Sequence, residues 1–148
     1  MITIGIDQGA SGGIAYMLNG RMNCFNMPGT IEDILEQLKR IHALGQCRAF
    51  IEKVGYHRAG NNASASCKFA RHCGHIEAIL LALEIPTYVV NPKTWQKTLG
   101  TLPKDKGDRK REIKAIMQQR YPHLKVTLLT ADAVAICEWG INKGDKKC

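Results

Sequence analysis

The sequence lacks the features of a membrane or secreted protein. No apolar run among its 148 residues approaches the roughly 20 that a membrane span requires. The six cysteines form no Cys-x-x-Cys pair, and Cys24, Cys47 and Cys137 lie in apolar segments. Because the first residues enter an apolar run at once, we expect no signal or transit peptide. These absences favour a reduced, intracellular, cytoplasmic protein that does not act at a membrane.

Acidic residues are also scarce. There are 13 Asp and Glu against 21 Lys and Arg, which gives a formal net charge of +8. The excess lies late in the chain, where ten Lys or Arg face three acids between Lys93 and Lys125. Such a basic segment is typical of a protein that binds nucleic acid, although a basic surface without a partner fits the composition equally well. With 45% hydrophobic residues and no internal repeat, residues 1–148 are expected to form a single domain.

The most informative stretch is the first one, MITIGIDQGASGGIAYM. Ile2, Ile4 and Ile6 alternate with small residues, which predicts a buried strand that ends at Asp7. A glycine-rich turn and a second apolar run follow, so the stretch reads as a hairpin. A carboxylate beside apolar strands costs free energy unless it is paired or bound to a metal. A functional Asp7 is therefore favoured over an aspartate that only caps the turn.

Residue periodicity divides the rest of the chain into alternating elements. Further strands are expected at Arg21–Met27, Arg48–Val54 and Pro86–Val90. Helices are expected from Thr30 to Gly45, from Ala63 to Leu83, around Trp95 and Leu99, from Asp108 as N-cap to Tyr121, and from Thr130 to Asn142. Because helices connect the later strands, those strands should run parallel, which predicts a mixed α/β sheet.

Two polar segments are candidates for DNA contact. After the fourth strand comes a long polar loop whose aromatic and basic side chains suit bases and phosphates. The candidate residues are Tyr56, His57, Arg58, Lys93, Lys97, Lys104, Lys106, Arg109 and Lys110. In the basic helix, Ile113, Ile116 and Met117 are expected to pack inward, leaving Arg109, Lys110 and Lys114 toward solvent. An ordinary exposed loop is the alternative for the first segment.

The long helix from Ala63 to Leu83 carries two apolar stripes. One stripe can cover the sheet, and the second consists of Ala70, Gly74, Ala78 and Leu81. Small residues permit close approach of another element, which suggests a dimer face. Packing under another part of the same chain fits the pattern equally well.

Three acids are placed where they can meet. Asp7 and Glu52 each lie near the carboxyl end of a strand, and Asp132 lies in the first turn of the last helix. If the first and fourth strands are neighbours, these side chains face one site beyond the sheet edge. Clustered carboxylates repel one another unless cations lie between them, and hard oxygen ligands select Mg²⁺ or Mn²⁺. The alternative role for Asp132 is that its negative charge only stabilises the dipole at the start of the last helix.

Four segments together carry a family resemblance, namely IGIDQGASGGIAY, FIEKV, GHIEAILLALEIPTYVVNPKTWQK and TADAVAICEWG. In this order and spacing the chain resembles the RuvC family of Holliday-junction resolvases, in particular its compact bacteriophage-type members. The resemblance implies a ribonuclease-H-like fold, with a mixed five-stranded sheet flanked by helices. It also implies a homodimer that binds four-way DNA junctions and nicks two strands symmetrically, using Mg²⁺ with Mn²⁺ as a substitute.

The resemblance also assigns roles to individual residues. It makes Asp7, Glu52 and Asp132 catalytic metal ligands and Tyr56 the side chain that probes the junction centre. The helix from Ala63 to Leu83 becomes the dimer helix. For a viral chain the site of action would be the host cytoplasm.

One position departs from the family pattern. The family usually has an acid or a histidine just before the last aspartate, and residues 126–131 here contain neither. Glu138 lies on the wrong side of the helix, and Asp105 or Asp108 reaches the site only if the basic loop folds over it. The binding of a second metal ion is therefore in doubt, and a non-catalytic junction-binding protein is an alternative.

A second kind of enzyme shares part of the pattern. The DxGxxxGG hairpin also opens actin-like ATPases and sugar kinases, where it holds phosphate. This chain is short for their two-domain cleft and lacks their later adenosine-binding glycine motifs. No nucleotide cofactor is therefore expected.

Overall fold

The computed structural model describes residues 1–55, 60 and 62–144, and in it five strands form one sheet in the order β3-β2-β1-β4-β5. The strands are β1 (Ile2–Asp7), β2 (Gly13–Leu18), β3 (Arg21–Asn26), β4 (Cys47–Glu52) and β5 (Thr87–Val90). The helices are α1 (Ile31–His42), α2 (Ala63–Ala82), α3 (Pro92–Gln96), α4 (Lys106–Arg120) and α5 (Ala131–Gly144). A single 3-10 turn, Lys97–Leu99, follows α3.

Strand pairing confirms the predicted mixed sheet. The first three strands are antiparallel, and β4 pairs in parallel with both β1 and β5. Each parallel connection contains a helix, as a crossover between parallel strands requires. The fold class predicted from the sequence, a ribonuclease-H-like sheet flanked by helices, is correct. Within the described ranges, no helix is both long enough and apolar enough to cross a bilayer.

The register of β1 and β4 brings two of the candidate acids together. Ile6 of β1 lies opposite Ile51 of β4, and both are buried in the core beneath α1 and α2. Successive side chains on a strand point to opposite faces of the sheet. Asp7 and Glu52, each one residue further on, therefore share the other face, at the same edge of the sheet.

Helix α5 packs on that other face, close to the backbone of β1. A Cβ atom at Gly5 would lie 2.4 Å from the carbonyl oxygen of Ala133 and 2.4 Å from the backbone nitrogen of Cys137. The Cys137 thiol donates a hydrogen bond of 3.2 Å to the Thr3 carbonyl oxygen. Only glycine at position 5 permits this approach, which fixes the start of α5 beside the end of β1.

The start of α4 differs from the expectation, and the start of α5 agrees with it. Helix α4 begins at Lys106 and is capped by Asp105, whose carboxylate accepts a 2.8 Å hydrogen bond from the Asp108 backbone N–H. The prediction that Asp108 caps this helix was wrong. Asp105, which lies three residues earlier, is the cap because its side chain accepts the hydrogen bond from the Asp108 N–H group. Helix α5 begins at Ala131, directly after the predicted cap Thr130, whose hydroxyl oxygen accepts a 3.0 Å hydrogen bond from the backbone N–H of Thr127.

Helix α2 matches the predicted long helix and leaves one face uncovered. Cys73, Ile76, Ile79 and Leu80 are buried against the sheet side. Gly74, Ala78 and Leu81 are exposed, and Ala70 is half-buried. For these three exposed residues, burial under another part of the described chain is excluded.

Candidate active site

The three candidate acids line one cavity of about 480 Å³ at the carboxyl ends of β1 and β4. Asp7 and Glu52 come from adjacent strands, and Asp132 comes from the first turn of α5. The glycine-rich turn after β1 forms another wall, together with α3 and the first turns of α4. The lining residues are Asp7, Gln8, Gly9, Ala10, Ser11, Gly12, Glu52, Phe69, Pro92, Gln96, Lys106, Arg109, Lys110, Ile113 and Asp132.

Glu52 is oriented by a buried tryptophan. The Trp95 indole N–H donates a hydrogen bond of 3.0 Å to Oε1 of Glu52, and the Trp95 side chain is 1% exposed. Trp95 lies in α3, which begins at Pro92 and is capped by the side chain of Asn91. A hydrogen bond to an ionised carboxylate is stronger than one between neutral groups, and packing fixes the donor. The sequence pattern predicted only a short helix around Trp95 and did not indicate its hydrogen bond to Glu52.

Asp132 lies in a drier environment than an ordinary aspartate in a first helical turn. Burial raises the pKa of its carboxyl group above the usual range, and the positive charges of α4, Lys110 first, oppose that shift. Its Oδ2 atom lies 3.8 Å from the Lys110 ammonium. Its Oδ1 atom is buried and has no hydrogen-bond partner among the described residues. A buried carboxylate oxygen without a partner indicates that a donor or a cation is missing.

The basic side of the cavity corrects one prediction. Arg109 and Lys110 were expected to face solvent, but both are half-buried and line the cavity with Lys106. Residues four and three apart share a helix face, so Lys106 and Lys110 lie on the face of Ile113. Since Ile113 and Met117 anchor that face in the core, the face extends from the core to the acids. The helical spacing of these residues is visible in the sequence, but the sequence alone does not show that the basic side chains face the acids.

The three other acids considered as a fourth ligand, Asp105, Asp108 and Glu138, are held elsewhere. The Asp105 carboxylate caps α4, and Asp108 pairs with Arg111 at 2.5 Å. Neither aspartate lines the cavity. Glu138 accepts hydrogen bonds from Arg120 and from the Tyr121 hydroxyl group. None of these three acids therefore replaces the acid or histidine that residues 126–131 lack.

The donor types fit a divalent cation such as Mg²⁺, although they are not assembled around one point. Carboxylate oxygens are the ligands that hard cations prefer, and the Oδ1 atom of Asp132 has no hydrogen-bond partner among the described residues. Within those same residues, however, no three His, Cys, Asp or Glu side chains are grouped so as to hold one ion. An ion held by all three carboxylates would therefore require these side chains to move toward one another.

A basic groove adjoins the acidic cavity. Its volume is about 290 Å³, and it shares Gln96 and Arg109 with the cavity. The remaining groove residues are Lys93, Lys97, Gly100, Leu102, Pro103 and Lys104. Three of the predicted DNA-contacting lysines therefore lie in one groove beside the acids. Of the other predicted contacts, Arg109 lines both groove and cavity, and Lys106 and Lys110 line the cavity. Tyr56, His57 and Arg58 lie outside the described residues.

Comparison with known proteins places the fold. No protein-family model and no curated protein matches the sequence. Among solved structures, RuvC of Thermus thermophilus matches with a TM-score of 0.63 and 18% identity, covering 97% of each chain. The chain has a RuvC-like fold.

Two further structural neighbours were solved with DNA. Thermus thermophilus RuvC in complex with a Holliday junction substrate matches with a TM-score of 0.63 and 16% identity, over 97% of this chain and 96% of that one. Fowlpox virus resolvase in complex with Holliday junction DNA matches with a TM-score of 0.53 and 12% identity, over 95% and 99%. At these identities the likeness describes the backbone fold.

Proposed function

We propose that this protein is a Mg²⁺-dependent, structure-specific endonuclease that binds four-way DNA junctions and nicks them symmetrically by phosphodiester hydrolysis. The observation that carries the proposal is the meeting of Asp7, Glu52 and Asp132 in one cavity that basic side chains also line. Acids of this kind suit a divalent cation, and the basic side chains suit a phosphate. The RuvC-like fold of the described chain supports the same substrate class, because two of its structural neighbours were solved on Holliday junctions.

The acidic and the basic side chains of the cavity have different roles in the proposed hydrolysis. When bound, a divalent cation lowers the pKa of a water molecule and polarises the phosphoryl group. Glu52 enters the reaction already oriented, because the Trp95 indole N–H holds one of its oxygens. In the same cavity, the side chains of Lys106, Arg109 and Lys110 offer positive charge to the phosphate and to the leaving oxygen.

The groove lined by Lys93, Lys97 and Lys104 would hold the DNA backbone beside the scissile phosphate. Each phosphate that these lysines neutralise releases counterions, so binding should weaken as salt rises. The loop containing Tyr56, His57 and Arg58 remains a proposal for contact with the junction centre, based on its composition and its place after Glu52.

Homodimer formation through α2 completes the proposal. Gly74, Ala78 and Leu81 lie on the uncovered face of that helix, and the Leu81 side chain is 79% exposed. Exposed apolar side chains of this size, beside small residues, favour contact with another protein surface. A two-fold dimer would also match the symmetric cuts in a four-way junction.

The decisive experiment compares a labelled four-way junction with a linear duplex of the same sequence, in Mg²⁺ and in Mn²⁺. The wild-type protein should nick two strands of the junction and leave the duplex intact. Asp7→Asn, Glu52→Gln and Asp132→Asn should each remove nicking while junction binding persists. Equal binding to both DNAs at every salt concentration, or nicking that survives all three substitutions, would overturn the proposal.

A non-catalytic junction-binding protein is the second candidate, and one observation favours it. The three acids share a cavity, yet no three potential ligands among the described residues are grouped around a single ion. In that case the basic groove would bind junctions, and no strand would be cut. Junction binding without nicking in either metal, at any protein concentration, would decide for this candidate.

A further inference from the structure

The positive charge nearest to Asp132 comes from the protein itself. Within the described salt bridges, the only partner of this carboxylate is the Lys110 ammonium, at 3.8 Å from Oδ2. The ammonium lies in the same cavity as Asp7 and Glu52. It stands beside the one acid whose neighbouring ligand is absent, since residues 126–131 contain no acid and no histidine.

Core packing fixes where the lysine lies. Ile113 and Met117, which are 2% and 0% exposed, anchor α4 against the core that surrounds α5. Lys110 lies one turn before Ile113 on that face, and its side chain is 32% exposed. The ammonium is therefore delivered to the acids by a helix that cannot rotate away without unpacking its core residues.

Charge balance shows what the lysine does to cation binding. The cavity is lined by three carboxylates and by three cationic side chains, Lys106, Arg109 and Lys110, of which Lys110 alone makes a described salt bridge to Asp132. Each divalent ion adds two positive charges, so a second ion would leave an excess of four before any phosphate entered. Positive charges a few ångströms apart repel each other strongly at a partly buried site, so the ammonium and a second ion compete for the same place.

We propose that the Lys110 ammonium takes the place of a second metal ion beside Asp132, so that this site binds one divalent cation and one lysine. The inference rests on the proposed metal-dependent function, because it concerns how many ions that site takes. It makes Lys110 a built-in cation rather than one more contact to the DNA backbone.

Mn²⁺ binding to the DNA-free protein tests this without any measurement of activity. Calorimetry, with electron paramagnetic resonance to count bound ions, should show one Mn²⁺ per wild-type chain. Lys110→Met should bind Mn²⁺ about tenfold more tightly, since a nearby charge shifts such an equilibrium by a factor of ten or more. Lys110→Glu, which adds a fourth carboxylate, should bind a second Mn²⁺. Lys110→Arg, which keeps the charge, should retain one ion at wild-type affinity.

Lys114→Met is the matched control. Lys114 lies one turn further along α4, is half-buried, and does not line the cavity. Its substitution should leave Mn²⁺ affinity unchanged, and circular dichroism should show the native helix content in every variant. Two ions per wild-type chain, or Lys110→Met and Lys114→Met with equal Mn²⁺ affinity, would overturn the inference.

A third set of variants separates this inference from the proposed function. If Asp7→Asn and Asp132→Asn both leave Mn²⁺ binding unchanged, the acids hold no metal, and the proposed function and the inference fail together. If these substitutions abolish Mn²⁺ binding while Lys110→Met changes nothing, the function survives and only the inference fails.

Discussion

Helices α5 and α2 cover opposite faces of the same sheet, and they differ in how much of their surface the chain itself fills. Helix α5 is buried around Val134, Ile136 and Cys137, with its backbone pressed against Gly5 of β1. Helix α2 buries one side and leaves Gly74, Ala78 and Leu81 exposed. A helix locked on all sides can hold a carboxylate in position, whereas a half-covered helix is free to meet a partner.

This difference separates two tasks within one small fold. The acid on α5 needs a fixed place relative to β1 and β4, because metal and phosphate geometry tolerates little error. The exposed face of α2 needs the opposite property, a surface that stays available after folding. Substitutions on the two helices should therefore fail in different ways.

The largest effect is expected at the contact between α5 and β1. Gly5→Val would place side-chain atoms against the backbone of Ala133 and Cys137, which cannot move without displacing α5. We expect a loss of about 3 kcal/mol or more in the free energy of unfolding, the upper range for overpacking a core. Urea denaturation monitored by circular dichroism measures it. Gly74→Val, on the uncovered face of α2, is the matched control and should cost far less.

The next effect concerns the positioning of Glu52. Trp95→Phe keeps an aromatic ring in the core but removes the N–H group that donates to Glu52 Oε1. Loss of a hydrogen bond to a charged group should cost about 1.5–3 kcal/mol of stability. Nicking should fall about tenfold at saturating Mg²⁺ if part of that interaction orients the carboxylate in the transition state. An unchanged nicking rate with lower stability would assign Trp95 to packing alone.

On α2 the expected effect is on assembly rather than on folding. Ala78→Glu puts a charge on the exposed face, so chain stability should stay within about 0.5 kcal/mol. If that face is the dimer contact, the dissociation constant of the dimer should increase by at least about tenfold, which corresponds to 1.4 kcal/mol. Sedimentation at micromolar concentration measures this change. A wild-type protein that sediments only as a 16.4 kDa species would remove the dimer from the proposed function.

The smallest effect has the opposite sign. A Cβ atom at Gly74 meets no atom within 4 Å. Gly74→Ala should therefore stabilise the isolated chain by about 0.5–1 kcal/mol, because alanine favours a helix interior over glycine. If close approach of a second α2 requires glycine, the same change should weaken the dimer. A more stable chain with unchanged assembly would place the contact elsewhere.

The amino-acid sequence alone determined the elements and the acids. Alternating isoleucines at 2, 4 and 6 predicted β1 and its ending at Asp7, and helical stripes predicted α1 and α2 to within three residues. These patterns are local, because a strand or an amphipathic helix follows from the spacing of its own apolar residues. The place of Asp132 in the first turn of α5 was visible for the same reason.

Tertiary structure decided what surrounds those acids. The N–H partner of Glu52 comes from Trp95, 43 residues later, and the ammonium beside Asp132 comes from Lys110 of another helix. From the sequence pattern, the second stripe of α2 could face a partner or pack within the chain. In the described structure, Gly74 and Ala78 of that stripe are exposed. Which side chains meet depends on strand order and on the helix face turned inward. Contacts between segments far apart in the chain fix both, and no local pattern records them.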